Sequence, residues 1–205
     1  MEHCLALAAR SRRDAILHAI AEHDNGWAEE DAAPSVDPAA GTIVDFMSAP
    51  LKVRHAVWSR GVARLARQPW VAALVAQHAV TVYDRFRDQV EWHPFFVEME
   101  AARDALLRSA GMPLGDLIAD YAFVRLADLI SLTFCTGWTD EQRFSDWTIR
   151  PTGTGVRVSP DAFGGKLIPI EITVKEIPDR PLRSDAELRS ALSAATLVRL
   201  QGEAS

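Results

Sequence analysis

Between Leu117 and Cys135 the chain runs through its longest apolar stretch, and Asp120, Arg125 and Asp128 stand inside it. Three charges rule out a lipid-spanning helix there, because each would lose its hydration in hydrocarbon. The stretch is predicted instead as a buried core helix, from Leu114 to about Cys135. Asp128 is its sharpest point: Leu126, Ala127, Leu129 and Ile130 flank it, so an ionised carboxylate needs a compensating charge inside the core. Arg125, three residues earlier on the same helix, is one source of that charge; a bound cation is the other. With 205 residues and 48% hydrophobic content, the chain is long enough to build one full core around such a helix.

Helical spacing is clear elsewhere in the N-terminal two-thirds. Ile16, Leu17 and Ile20 predict a helix over Arg12 to His23, opened by Ser11 and Asp14, with a separate short helix over residues 2–10. Asn25-Gly26, Pro34, Pro38, Gly41 and Pro50 then break the pattern, which predicts a long loop with little regular structure, of the kind that walls or covers a site. Periodicity returns in Leu51, His55, Trp58, Val62 and Leu65, and again from Trp70 through Val71, Leu74, Val75, His78, Val82 and Phe86. A helix from Pro94 to Ala110 is closed by Gly111 and Pro113.

After Trp138 the character changes. Ile168, Ile170, Ile172 and Val174 alternate with polar residues or proline, the period of a half-buried strand, with 147–150 and 156–158 as pairing partners. Ser184 and Glu187 form a capping-box pattern before a last helix carrying Leu188, Leu192, Ala195 and Val198. The expected fold is therefore mainly α: a helical core over residues 1–138 and a C-terminal α/β extension over 139–205, with a small β-hairpin or sheet and a final helix packed on the core.

A net charge of −6 disfavours nucleic acid and anionic membrane surfaces as main partners, since both reward dense positive charge. A small molecule or another protein fits better, and self-association is left open. Cys4 and Cys135 are too far apart in sequence to suggest a disulfide framework, and the N-terminus has no basic region followed by an apolar core, so a cytoplasmic location is expected. Phosphate-binding glycine loops and serine-nucleophile elbows are missing.

Four polar residues stand in or beside apolar stripes: His23, Asp24, His78 and Asp128, with His55 as a fifth. A single histidine in such a position is more often a hydrogen-bonded core residue than a ligand. Several together favour a divalent cation, with imidazole as neutral donor and carboxylate as charge compensation. Trp27 is the tryptophan expected against the site. His93, before Pro94, is expected at a helix start or on the surface. Arg54, Arg60 and Arg125 are candidates for contact with an anionic substrate or for ion pairs.

The string Glu22-His23-Asp24-Asn25-Gly26-Trp27, followed by His55, His78 and Ala127-Asp128, resembles the ligand order of HD-domain metalloproteins. More narrowly, the chain from His3 to about Val198 is similar to a bacterial domain-of-unknown-function family whose core is His-Asp-x-Gly-Trp. The resemblance implies an HD-like helical bundle holding one or two divalent ions (Fe, Mn, Mg or Zn). His3, His23, Asp24, His55, His78 and Asp128 would be the metal ligands, with His3 supplying the upstream histidine and His18 as its fallback, and His23, Asp24, His55 and His78 the catalytic set. It further implies a metal-dependent phosphohydrolase acting on a small anionic molecule. A di-iron oxygenase using the same ligands, or a binding module whose site has decayed, are the alternatives.

Overall fold

The computed structural model describes residues 1–205. Its helices are α1 (Leu5–Ala8), α2 (Arg13–Glu22), α3 (Ala28–Ala32), α4 (Leu51–Arg64), α5 (Pro69–Val82), α6 (His93–Ala110), α7 (Leu114–Thr136) and α8 (Asp185–Ala194). The strands are β1 (Val36–Asp37), β2 (Thr42–Ile43), β3 (Gln142–Phe144), β4 (Trp147–Pro151), β5 (Gly155–Ser159), β6 (Ile168–Glu176) and β7 (Thr196–Ala204). No helix is long and apolar enough to cross a membrane.

The helical core is organised by α2, α5 and α7, each of which packs on the other two. Helix α7 carries two buried carboxylates eight residues apart, Asp120 (0% exposed) and Asp128 (5% exposed). Both are met from α2 and α5. Near one end, Arg12 Nε donates to Asp120 Oδ2 at 2.6 Å and Trp70 Nε1 donates to the same oxygen at 3.2 Å. At the other end His23 and His78 face Asp128. Since Arg12 precedes His23, Trp70 precedes His78 and Asp120 precedes Asp128, the three helices run in the same direction. Eight residues on α7 correspond to roughly 12 Å of axial rise, so the two polar layers are separated by more than two turns of apolar packing. Leu74, Val124 and Ile16, all 0% exposed, belong to that packing.

The mainly α expectation is overturned. Helix makes up about 52% of the chain and strand about 17%, with a five-stranded mixed sheet and a two-stranded one, so the protein is an α/β mixture rather than a helical bundle. The five strands run in the order β3-β4-β5-β7-β6. Ile149, Val156, Val158 and Ala204 from the sheet share the main hydrophobic core with the helices, through contact with α7.

Two local expectations fail for one reason. The final helix stops at Ala194, and Val198, expected on its apolar stripe, lies in β7. β7 then pairs in parallel with β5 and antiparallel with β6, separating β6 from the 147–150 and 156–158 segments expected beside it. Here the ladder of long-range backbone hydrogen bonds overrides the helical spacing of a few apolar residues. The segment expected as a structureless loop also has order: a 3-10 turn at Asn25–Trp27, α3, and the β1–β2 ladder.

That 3-10 turn explains the glycine of the His-Asp-x-Gly-Trp string. The turn lies against α4 so closely that a Cβ on Gly26 would sit 2.0 Å from the Val57 carbonyl oxygen. Arg60 reaches over from α4 and donates through Nε and Nη2 to the Gly26 carbonyl at 3.1 and 2.6 Å, and Arg64 donates to the Asn25 carbonyl. The motif thereby anchors the end of α2, and hence His23, to α4. Replacing Gly26→Ala forces the turn off α4. Urea unfolding is expected to show a loss of about 2 kcal/mol or more; a change within about 0.5 kcal/mol would contradict this close-packing role.

Candidate metal centre

His23 caps the C-terminal end of α2. Its Nδ1 lies 2.7 Å from the Ile20 carbonyl oxygen one turn back. Since a carbonyl only accepts, that bond fixes the proton on Nδ1 in the neutral ring and leaves Nε2 as the free donor atom. Nε2 points to two carboxylates, Asp24 Oδ2 at 3.2 Å and Asp128 Oδ1 at 3.7 Å. On α5, His78 Nδ1 is 3.0 Å from the Tyr121 hydroxyl, a group that can donate or accept, and Nε2 is 3.8 Å from Asp128 Oδ2. The two rings meet edge to face with centroids 5.0 Å apart. The Trp58 indole packs edge-on against His78 at 5.5 Å.

His23, His78 and Asp128 thus offer two ring nitrogens and a carboxylate oxygen that all lie within 4.8 Å of one another. His78 and Asp128 are buried and His23 is half-buried. Asp24 stands at the rim, its side chain 59% exposed. Arg125 donates to Asp128 Oδ2 from one turn back on α7, so one carboxylate oxygen is engaged by guanidinium while the other faces His23.

The electrostatics follow from this geometry. Burial alone would depress the His23 ring, but Asp128, Asp24 and the Ile20 carbonyl outweigh it and hold its pKa well above the ordinary histidine value. Burial opposes ionisation of Asp128, yet His23, His78 and Arg125 keep its carboxyl below the usual range. His78 behaves oppositely to His23: burial dominates and pushes it down to about 4, with Asp128 opposing only in part. In metal-free protein the cluster is therefore a protonated His23 against an ionised Asp128, with a neutral His78 beside them.

The other sequence candidates lie elsewhere. His3 is exposed, in a segment whose next residues dock on the sheet side of the molecule, where Leu5 N–H donates to the Ala162 carbonyl. His55 lies three residues before Trp58 on α4, and it is Trp58 that this helix turns towards His78. The His55 ring stacks on Phe95 at 5.0 Å and meets Trp92 at 5.6 Å, and its Nε2 is buried without a hydrogen-bond partner. His3, Asp24 and His55, expected as ligands, all lie outside the three-residue group. His18 bonds Gln68, and His93 is exposed at the start of α6. Arg60 is committed to the Gly26 turn and to Glu29 and Glu30, and Arg54 to the carbonyls of Ala49 and Met47. Where Trp27 was expected against the site, the indole on His78 is that of Trp58. Tyr121 was missed, although it lies seven residues before Asp128, two turns back on the same face of α7.

An α/β protein with a two-histidine, one-carboxylate cluster joining three parallel helices is the class that fold and site define together. Over residues 4–179 the chain matches the family described as "Protein of unknown function (DUF3891)", and it belongs to that family. No HD-domain match accompanies this one. No curated protein and no solved structure matches the chain.

The depressed His78 ring makes stability depend on pH in a defined window. Its folded pKa of about 4 lies below the ordinary 6.5, so the unfolded chain takes up a proton between these values while the folded ring does not. The His78 contribution is full above pH 6.5 and is lost as pH falls towards 4. His55, also lowered by burial, adds in the same direction. The raised His23 pKa contributes fully below 6.5 and adds no slope in this window. Chelator-treated protein is expected to lose on the order of 3 kcal/mol between pH 7 and 4 from His78. Denaturant titrations of His78→Gln should show most of that slope removed; an unchanged slope would place the titrating group elsewhere.

Proposed function

We propose that this protein is a divalent-metal-dependent hydrolase acting on a small, anionic, phosphorylated molecule, at a centre built from His23, His78 and Asp128. One observation carries the reading. Each histidine has its Nδ1 held by a hydrogen-bond partner, Ile20 O or Tyr121 OH, while both Nε2 atoms converge on one buried carboxylate. Fixing one ring nitrogen so that the other is presented to a cation is the usual outer-shell arrangement around metal-bound histidine. The donor set fits the group, since two neutral imidazoles and one carboxylate suit a borderline divalent ion that keeps open positions.

A cation held there supplies Lewis-acid polarisation of a phosphoryl oxygen and a bound water of lowered pKa. His23 and His78 would bind it through Nε2 and Asp128 through Oδ1. Asp24, at the exposed rim beside His23, is placed to accept a proton from water at the mouth of the site. Arg125 neutralises the second oxygen of Asp128 and leaves its other N–H groups for an anionic ligand. The order His23-Asp24, His78, Asp128 retains part of the HD-type pattern, and on this reading the protein is an HD-like enzyme that does without His3, Asp24 and His55 as ligands.

A second reading has its own support. Two histidines and one carboxylate are also the ligand set of non-haem iron oxygenases, so an iron-dependent oxidation is the competing activity. Assays of phosphomonoesters and nucleotides with Mn²⁺-, Zn²⁺- or Fe²⁺-loaded protein separate the two. Hydrolysis is expected to be abolished by chelator and to fall on the order of 100-fold in Asp24→Asn, with metal content retained. Iron-dependent dioxygen consumption without phosphate release would favour the second reading, and metal-loaded protein inert towards every phosphoester tested would overturn the first.

A further inference from the structure

Strand β6 forms one outer edge of the five-stranded sheet, and the direction of its unpaired backbone groups can be read from its neighbour. Glu203 N–H donates to Thr154 O at 3.2 Å and Ser205 N–H to Val156 O at 3.0 Å, both towards β5. Backbone groups alternate sides along a strand, so the odd-numbered residues of β7 face away from β6. Their register partners, Pro169, Glu171, Thr173 and Lys175, therefore turn their own backbone groups away from β7. No strand lies on that side, and no loop bonds these groups. Pro169, which has no N–H to offer, sits where a proline is tolerated.

The side chains along this edge are self-complementary. In an antiparallel pairing of two β6 strands about a two-fold axis at Thr173, Glu171 of each copy lies opposite Lys175 of the other, and Ile172 opposite Val174. Glu171 already contacts Gln201 and Arg199 on β7, whereas Lys175 has no ion pair in its own chain. Edge charges ordinarily prevent strand association; at this spacing they select one register. The apolar face points the same way. Ile168 and Ile170 pack on the main core, but Ile172 and Val174 extend past it as part of a two-stranded arm, beside Leu200, which is 38% exposed.

We infer that the β6 edge pairs with the β6 edge of a second copy of this chain, joining two five-stranded sheets into one continuous antiparallel junction centred on Thr173. The interface is isologous, the usual form for a homodimer, and uses main-chain hydrogen bonds for affinity and the Glu171–Lys175 pairs for register.

Sedimentation equilibrium on the full chain tests this. A mass of about 45 kDa is expected at a protein concentration of ~100 µM, twice the 22.6 kDa of one chain. Lys175→Glu places like charges opposite each other twice per dimer and should raise the dissociation constant roughly tenfold or more. Adding Glu171→Lys to that variant restores opposite charges across the junction and should recover dimer. Thr173→Pro removes an outward donor while leaving the β7 ladder intact, so it should give a folded monomer by circular dichroism. A monomeric wild-type protein at 100 µM (~100-fold above a micromolar dissociation constant) would overturn the inference. So would a dimer indifferent to both Lys175→Glu and Thr173→Pro.

Discussion

Two carboxylates buried in one apolar helix set the terms for the rest of the molecule. Asp120 and Asp128 on α7 cannot remain ionised in the core without compensation, and the chain meets each from α2 and α5. The two solutions differ. Asp120 receives Arg12 and the Trp70 indole on one oxygen, while its other oxygen is buried without a hydrogen bond and has Arg10 at 3.8 Å. Asp128 receives Arg125 on one oxygen only, while two imidazole nitrogens approach at 3.7 and 3.8 Å, too far for hydrogen bonds. The first layer pairs its carboxylate with a guanidinium and an indole, and the second brings two imidazoles and a guanidinium to one carboxylate.

The same constraint gives the His-Asp-x-Gly-Trp string a structural meaning. His23 has to be held at the end of α2, opposite Asp128, and the next residues must leave the site at once. The 3-10 turn does this by lying on α4, where Gly26 permits the contact and Arg60 and Arg64 bind the turn's carbonyls. Asp24, between the anchored histidine and the turn, is left at the surface of the site. Position along the chain thus sorts the pair into one half-buried ligand candidate and one exposed carboxylate.

Much of the helical half was legible because its helices are amphipathic and clearly bounded. Gly111, at φ 66°, closes α6 at the expected residue, and α7 runs from Leu114 as the apolar stretch indicates. His23, His78 and Asp128 were legible for a related reason: a polar group on an apolar stripe is costly without a partner, so three such groups invite one explanation. Periodicity could not decide which of two residues three apart on α4 faces the site. The HD-type resemblance points to His55, and in the structure it is the Trp58 ring that meets His78 while His55 stacks on Phe95. The sheet was least legible, because the parallel pairing of β7 with β5 joins segments about fifty residues apart and leaves no local mark. Residues 195–198 fit a helix as well as a strand until that pairing is known.

Metal binding by the second layer is the property on which the proposed chemistry depends. Cobalt(II) titration of the full chain, followed by visible absorption, reads this directly, because imidazole and carboxylate ligation produces ligand-field bands that free cobalt does not show. The expected result is saturation at one ion per chain, with affinity reduced roughly 10- to 100-fold in His78→Gln and by a similar factor in Tyr121→Phe, which leaves the ring unheld at Nδ1. Titration without ligand-field bands, or bands of equal strength and affinity in His78→Gln, would contradict a centre built on His23, His78 and Asp128.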